Sequence, residues 1–361
     1  MTSPISLLQR ARDHGTPVIQ GNRALFLWEG ETAPLLISDL TDWEDRPKSF
    51  KRIGSSTHRH DSFQPVWSCS LTVPRDAYVE YAFMDPDMQE QFLDPLNPHS
   101  TSNGMSNRNN FFYMPETMAS PFSMRRADVP TGTVTRHRVD AGLLQDDGER
   151  EIFLYAPPAK GPVPLLIVFD GPDYLHRGRL TTIVENLIAD RRIRPLAIAF
   201  LQNARSRRNL EYICSDATIS WLDLEVLPLA RKHLRLVNIK DRPGSYGVLG
   251  ASAGGIMAMY TGLRMPEIFG KVLCQSGVFA LDGRDLAAVD LVRYRHAHDL
   301  KIWMDVGILD DLLEDNRRMS RLLQEQEYDI SYREFSAGHN YTAWRDDVWR
   351  GLEALFPYTP R

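Results

Sequence analysis

The sequence of 361 residues has few of the features that mark secreted or membrane proteins. Its three cysteines, Cys69, Cys214 and Cys274, show neither a C-x-x-C pair nor metal-site spacing, which favours a reducing compartment over a disulfide framework. The N-terminal residues lack the apolar core of a signal peptide, and no run approaches 18 apolar residues. We therefore expect a cytoplasmic protein with no membrane partner.

Strong charge of one sign is also missing. The formal net charge is −5, so the sequence offers no basic field for nucleic acid. The close histidine pairs, His58/His60 and His296/His298, have no carboxylate–cysteine set beside them, so we interpret both as surface loops and expect neither a metal nor another cofactor. The hydrophobic content of 43% is ordinary for a globular chain with a sizeable core.

The two halves of the chain differ in pattern. Residues 20–113 contain short runs with partial alternation or aromatic enrichment, split by Gly, Asp-Pro and Asn clusters, which predicts a small antiparallel β-sandwich of immunoglobulin-like type. The stretch 114–134 contains three prolines and no sustained period, as is typical of a linker. We place the sandwich domain at 1–120, the linker at 121–135 and a second domain at 136–361.

Short apolar runs alternate with helical stretches throughout the second domain. The clearest helix is RLTTIVENLIAD (179–190), whose apolar residues share one face. Strand alternating with helix predicts an α/β fold with a mostly parallel sheet covered on both faces. The predicted strands are 150–158, 164–170, 195–202, 246–251, 271–276, 300–307 and 330–335.

The stretch YGVLGASAGGIMAMY (246–260) places Ser252 among small residues between a predicted strand and a helix. A tight Gly/Ala packing site or a phosphate-binding turn would also use such residues. The G-x-S-x-G spacing in this context favours the nucleophile elbow of the α/β-hydrolases, in which glycines remove clashes around a strained serine. The backbone N–H of Ala253, at the start of the helix, would then stabilise an oxyanion.

A serine nucleophile needs a base, and in this fold the order along the chain is serine, acid, histidine. His339 follows the strand 330–335, whereas the other two late histidines precede a strand and would lie at the opposite edge of the sheet. The acid should follow the strand LKIWMDVG (300–307). Asp310 is the preferred candidate and Asp311 competes with it, since either could instead be a charge favoured by a helix N-terminus.

Several segments of the chain match a known family in both domains and in the same order: FLWEG (26–30), LTDWEDRP (40–47), DPLNP (94–98), FDG (169–171), RNLE (208–211), GASAGG (250–255), MPEIFGKVLCQSG (265–277), VGILD (306–310) and GHNYTAWR (338–345). With these segments the sequence resembles the enterochelin (enterobactin) esterases of the esterase D branch of the α/β-hydrolases. The resemblance covers roughly residues 20–355, including the sandwich. Family members are cytoplasmic serine esterases that cut the ester bonds of catecholate siderophores and release iron. Their acid stands three residues after the glycine that ends the strand, and the resemblance thus implies Asp310.

One departure from the wider fold concerns the second oxyanion donor. That N–H often comes from the residue after FDG, which is Pro172 in this chain and has no N–H. Gly171, which we prefer, or Asp173 must then donate instead, or the oxyanion hole has one good donor.

Three arginines are candidates for binding an anionic substrate. Arg205 and Arg208 lie in the basic run NARSRRNLE (203–211), after a strand and on the same edge as Ser252, and Arg177 is a weaker candidate. A solvated loop, or a structural pair of Arg208 with Glu211, would explain the same residues.

The sequence thus predicts a carboxylic ester hydrolase acting on a small-molecule ester, in particular a catecholate siderophore, by a Ser–His–Asp acyl-enzyme mechanism. A carbohydrate or aryl ester hydrolase, acting on acetyl or feruloyl groups, is the alternative. A binding protein that kept the fold and weakened the catalysis is a third.

Overall fold

The computed structural model describes residues 4–57, 63–104, 107–142, 144, 148–294 and 299–359. The histidine pairs 58/60 and 296/298 lie outside these residues. Contacts between residues divide the chain into two units. The first comprises residues 1–118 together with 307–311 and 335–340, and the second comprises 119–306, 312–334 and 341–361.

The first unit is the predicted antiparallel sandwich, preceded by the helix Pro4–His14 (α1). One sheet has the order β1-β2-β6-β5 and the other β4-β3-β7-β10-β9, with β8 paired to β7. Phe26 from the first sheet packs edge-on against Tyr81 from the second, at 4.8 Å between ring centroids, in a shared aromatic core. Its strands are Val18–Gln20 (β1), Arg23–Glu29 (β2), Leu35–Ser38 (β3), Lys48–Ser49 (β4), Lys51–Thr57 (β5), Phe63–Thr72 (β6), Tyr78–Met84 (β7), Gln91–Phe92 (β8), Ser100–Ser102 (β9) and Arg108–Tyr113 (β10).

The second unit contains the predicted α/β sheet, in the order β11-β12-β14-β13-β15-β16-β19-β20. The pairings from β14 through β13, β15 and β16 to β19 are parallel, while β12 runs antiparallel to β11 and β14. The predicted mostly parallel sheet is therefore confirmed. The strands of this part of the chain are Thr133–Asp140 (β11), Glu149–Ala156 (β12), Leu165–Val168 (β13), Ala197–Leu201 (β14), Gly247–Ala251 (β15), Lys271–Gln275 (β16), Ala280–Leu281 (β17), Arg284–Asp285 (β18), Lys301–Gly307 (β19) and Asp329–Phe335 (β20). Strands β17 and β18 pair with each other in a separate two-stranded sheet.

Helices cover this sheet and bury its central strands on both faces. Every residue of β13, β14 and β15 is buried, which explains why these strands are continuous apolar runs rather than alternating ones. No helix among the described residues combines the length and the apolar character needed to cross a bilayer. The helices are Gly171–His176 (α2), Leu180–Ala189 (α3), Arg208–Tyr212 (α4), Asp216–Trp221 (α5), Leu227–His233 (α6), Ala253–Arg264 (α7), Ala287–Tyr294 (α8), Leu313–Glu325 (α9) and Tyr341–Leu355 (α10).

Strand β11 begins at Thr133, inside the predicted linker 121–135. Its residues are mostly exposed and polar, so they show no alternating pattern in the sequence. The domain bounds themselves stay a prediction. Phe122, in the same stretch, packs within the second unit. Phe122 lies 5.3 Å from Trp349 between ring centroids, and its carbonyl accepts a hydrogen bond from Asn186 Nδ2 at 2.7 Å.

Candidate active site

Ser252 occupies a strained turn between β15 and α7. Its backbone has φ 59° and ψ −125°, a region that non-glycine residues rarely adopt and that costs about 1–3 kcal/mol. A Cβ on Gly250 would lie 2.1 Å from the carbonyl oxygen of Gly254, so the turn closes only because position 250 has no side chain. The predicted elbow geometry is therefore present at Ser252.

The backbone around Ser252 is fixed by hydrogen bonds that leave one donor free. Ser252 N–H donates to the carbonyl of Gln275 at 2.9 Å, and the Ser252 carbonyl accepts from Gly255 N–H at 2.9 Å and Val278 N–H at 3.3 Å. Within the described part of the chain, the N–H of Ala253 has no acceptor. As the first residue of α7, it has the free N–H that the predicted oxyanion donor requires.

The loop after β13 has a second free donor. Asp170 adopts a left-handed conformation, φ 52°, and α2 begins at Gly171 with Pro172 in its first turn. Asp173 N–H donates to the carbonyl of Asp170 at 3.0 Å and is thus already used by the turn. Among the described residues, Gly171 N–H has no acceptor, so Gly171 rather than Asp173 fits the role of second donor.

We expect Pro172→Ala to change kcat by less than about threefold. Gly171 already has a free N–H for the oxyanion, so a new N–H at position 172 is not needed. Steady-state kinetics on an aryl ester would measure this. A rise of tenfold or more at unchanged KM would instead mean that the wild-type oxyanion hole lacks a donor, since one well-aimed donor is worth about 10²–10³ in rate.

Asp170 and Arg208 form a bidentate ion pair behind the elbow. Arg208 Nε donates to Asp170 Oδ1 at 2.7 Å and Nη2 donates to Oδ2 at 2.5 Å. Arg208 Nη2 also lies 3.3 Å from the carbonyl oxygen of Ala251, which precedes Ser252. The pair therefore ties the loop that carries Gly171 to the strand that carries Ser252.

The guanidinium of Arg208 is thus engaged with protein groups. Its side chain is 25% exposed, and that of Asp170 is 2% exposed. Burial alone would lower the pKa of Arg208, but its hydrogen bonds to Asp170 and the carboxylate charge outweigh burial and raise the pKa. The alternative pairing of Arg208 with Glu211 is wrong, because Glu211 is buried against Arg150.

Removal of the Arg208 guanidinium should destabilise the fold. We expect Arg208→Ala to cost about 3 kcal/mol of unfolding free energy, because it leaves the buried Asp170 carboxylate without its partner. Denaturant unfolding at neutral pH measures this loss, with Arg205→Ala as the control, expected to stay within about 0.5 kcal/mol. Unchanged stability with a raised KM would instead support the predicted role of Arg208 in binding substrate.

The other two predicted binding arginines differ in their surroundings. Arg205 is exposed and opens a short 3₁₀ turn after β14, in a surface groove that Arg136, Arg138 and Gln202 also line. The Arg177 guanidinium pairs with Asp173 at 3.1 Å and stacks over Tyr341 at 4.4 Å from the ring centroid.

The loops after β19 and β20 bring the predicted acid and histidine together. His339 Nδ1 lies 2.9 Å from Asp310 Oδ2. The Asp310 side chain is fully buried, whereas that of His339 is 33% exposed. A buried carboxylate on Nδ1 orients the ring and leaves Nε2 to exchange a proton.

Asp311, the competing acid, is exposed at this loop. The pKa of Asp311 is raised, first by partial desolvation of its carboxyl and then by the Asp310 carboxyl beside it. The earlier acid Asp305 is buried in β19, where its carboxylate accepts a hydrogen bond from Trp303 Nε1 at 2.8 Å. The acids that open α9 pair with arginines on the same helix, Glu314 with Arg317 and Asp315 with Arg318.

Asp310, Asp311 and His339 also form a set of donors close enough to share a metal ion, with one ligand atom of each within 4.8 Å of the others. His339 Nδ1 is already bonded to Asp310. A metal bound through it would remove the contact that orients the imidazole, so the expectation that no metal is needed stays a prediction.

Sequence reasoning missed the role of Asp170. Asp170 lies two residues after the wholly apolar strand β13, so it was expected to be buried and to need a cationic partner. That need was the signal available in the sequence. The partner itself was not identifiable, because Arg208 lies 38 residues away behind another strand.

Comparisons with known proteins place the chain among esterases. The family model described as "Putative esterase" matches residues 146–355. The iron(III) enterobactin esterase of Dickeya dadantii is 30% identical over 234 residues, which cover 58% of this chain and 52% of that protein. This chain thus matches about half the length of that relative.

Two solved structures resemble the fold. The enterobactin esterase of Shigella flexneri, in the presence of enterobactin, has a TM-score of 0.76 at 19% identity and covers 92% of both chains. A ferulic acid esterase of Anaeromyces mucronatus, in complex with ferulic acid, has a TM-score of 0.55 at 14% identity and covers 64% of this chain and 93% of its own. The predicted α/β-hydrolase fold with an N-terminal sandwich and the resemblance to enterochelin esterases are confirmed. The match to the family described as "Putative esterase" extends over more than half of the sequence, and the chain therefore belongs to that family.

Proposed function

We propose that this protein is a serine esterase in which Ser252 is the nucleophile, His339 the base and Asp310 the orienting acid. The observation that carries the proposal is the strained elbow at Ser252, since a protein retains such a backbone where the geometry is used. The Asp310–His339 hydrogen bond of 2.9 Å and the serine–acid–histidine order along the chain support it further.

The reaction proceeds through an acyl-enzyme. His339 Nε2 takes the Ser252 hydroxyl proton as Oγ attacks the ester carbonyl, and the resulting oxyanion accepts hydrogen bonds from Ala253 N–H and Gly171 N–H. The tetrahedral intermediate collapses, and the imidazolium gives its proton to the departing alcohol. Water then attacks the acyl-enzyme with His339 as base again, which releases the acid and restores Ser252.

The substrate that we propose is a catecholate siderophore, ferric or apo, whose ester bonds are cut so that iron is released. The similarity to the enterobactin esterases of Dickeya and Shigella supports this class. A ferric tris-catecholate is anionic, and the exposed Arg205 offers a cationic group for it, in a groove where Arg136 and Arg138 pair with Glu149 and Glu151. Arg177, which is partly exposed, is a second candidate contact.

We propose the cytoplasm as the place where it acts. Cys69, Cys214 and Cys274 are all free thiols, as a reducing compartment requires. The partner is then a small-molecule ester, with neither nucleic acid nor membrane involved.

The test is to incubate the protein separately with apo-enterobactin, ferric enterobactin, an aryl acetate and a feruloyl sugar, and to follow the products by mass spectrometry. We expect release of dihydroxybenzoyl-serine units from enterobactin at a kcat/KM at least tenfold above those for the other esters. Loss of this release in Ser252→Ala would assign the activity to this protein rather than to a contaminant.

A feruloyl ester hydrolase is the second candidate, supported by the likeness of the catalytic fold to the Anaeromyces enzyme. A higher kcat/KM on the feruloyl sugar would favour it. If the protein hydrolyses none of the four esters and does not react with a fluorophosphonate probe, it is a binding protein on the same fold.

A further inference from the structure

Asp39 of the sandwich is a buried carboxyl that the reaction above does not use. It directly follows β3 and is 5% exposed. Its N–H donates to the carbonyl of Glu80 at 3.1 Å, and its Oδ2 accepts from Glu80 N–H at 2.8 Å. Asp39 is therefore fixed on β7 through both its backbone and its side chain.

The same carboxyl contacts the residue on each side of His339. A Cβ on Gly338 would lie 2.3 Å from Asp39 Cγ and 2.4 Å from Oδ1, so the carboxyl fills the space where a side chain would stand. Asn340, which is buried, donates from Nδ2 to Asp39 Oδ2 at 3.4 Å. Both contacts lie within the first unit, to which 335–340 belongs.

Further hydrogen bonds hold this loop and the loop of the acid in one arrangement. Tyr78 N–H donates to the carbonyl of Ser336 at 3.0 Å, which attaches β7 to the histidine loop. Leu309 N–H donates to the carbonyl of Ala337 at 3.0 Å, which links the loop of Asp310 to that of His339. The sandwich thus supports both residues of the acid–histidine pair.

Burial of the Asp39 carboxyl is energetically unfavourable. Burial raises the pKa of Asp39 well above its ordinary value, and the neighbouring Glu80 carboxyl and the charge of Asp310 raise it further. Glu80 is itself buried, with Tyr78 Oη and Asn109 Nδ2 donating to its carboxyl oxygens at 3.0 and 2.9 Å. An apolar residue at position 39 would avoid the desolvation cost of a buried carboxyl. What the carboxyl provides in return is its polar contacts with the histidine loop.

We infer that Asp39 is a positioning residue, which holds the backbone on both sides of His339 so that the imidazole keeps its orientation toward Asp310. The inference rests on the proposed function, in which His339 is the base. A displacement of about 1 Å in a catalytic group can cost about 10²-fold in rate, so a contact that fixes the base acts on kcat more than on KM.

The experiment compares Asp39→Ala, Asp39→Asn and the control Asp94→Ala on an aryl acetate, well below the unfolding temperature of each variant. Asp94 is a matched control, because it is a buried carboxyl of the same sandwich that accepts hydrogen bonds from Tyr81 and Leu96 and contacts neither catalytic loop. We expect Asp39→Ala to lower kcat by about 10–100-fold with KM within about twofold. Asp94→Ala should lose stability and keep kcat.

Asp39→Asn should recover kcat to within about threefold of wild type, because one oxygen of an amide can accept from both Glu80 N–H and Asn340 Nδ2, as Oδ2 does. If Asp39→Ala does not fold, Gly338→Ala makes the same test, since its methyl group collides with the Asp39 carboxyl. Its control is Gly161→Ala, where a Cβ would meet nothing within 4 Å.

Carbethoxylation of His339 by diethylpyrocarbonate, followed by peptide mass spectrometry, separates this inference from the proposed function. We expect Asp39→Ala to speed the modification at least threefold and Asp94→Ala to leave it unchanged, whether or not an ester is hydrolysed. An Asp39→Ala protein with wild-type kcat and wild-type carbethoxylation would overturn the inference. An inert wild type whose His339 still becomes more reactive in Asp39→Ala would overturn only the proposed function.

Discussion

Ser252→Ala should abolish ester hydrolysis without disturbing the fold. The change removes one oxygen at a position of intermediate exposure, and alanine meets the same backbone strain as serine at φ 59°. Loss of the nucleophile of a hydrolytic triad costs about 10⁶ in kcat. The N–H groups of Ala253 and Gly171 remain, so a residual rate of about 10³–10⁴ above that in water is expected.

The measurement is single-turnover kinetics on an aryl ester, with detection of the acyl-enzyme by intact mass. The control is Ser220→Ala on α5, whose exposed hydroxyl bonds only to the carbonyl of Asp216 and should not affect the rate. Wild-type turnover in Ser252→Ala, or an acyl group still attached to the protein, would rule out the elbow as the nucleophile site.

The elbow was predictable because all its determinants lie within a few residues. Gly250 and Ser252 are separated only by Ala251, and the strand and helix on either side have clear patterns of their own. The proximity of Asp310 and His339 was predictable for a related reason. Each follows a strand of the same sheet, so a strand prediction, the order of residues in this fold and the family spacing together sufficed.

Elements without a hydrophobic period were not predictable. Strand β11 lies at the edge of its sheet, and Val139 is its one buried residue. Its position is determined by backbone pairing with β12 rather than by burial of its own side chains. Helix α1 buries little beyond Leu8 and Ala11, which is too few apolar residues to give a periodic signal.

Contacts between distant residues were also beyond the sequence. Asp39 and Asn340 are 301 residues apart, and Arg208 bonds to Asp170 rather than to the nearby Glu211. Each contact involves a buried carboxyl that needs a hydrogen-bond partner. The sequence indicates that such a group needs a partner, but it does not identify the residue that supplies one.

Asp310→Asn should lower kcat by up to about 10⁴ while the fold is kept. An amide in place of the carboxylate no longer stabilises the imidazolium and favours the wrong tautomer of His339, because the Asp310 oxygen lies 2.9 Å from Nδ1. The pH dependence of kcat/KM distinguishes this from a general loss of structure. A lost carboxylate should lower the apparent pKa of the base, whereas a misfolded fraction would scale the whole profile down.

Asp311→Asn is the matched control, one residue along the same loop. Asp311 is exposed, so solvent screens its charge at His339, and the expected loss is less than about tenfold. If Asp311→Asn proves the more damaging change, the acid is Asp311 and the hydrogen bond between Asp310 and His339 is not used in turnover. If neither change lowers kcat, the enzyme works with a serine–histidine pair, and Asp310 serves to fix the loop beside Gly307 and His339.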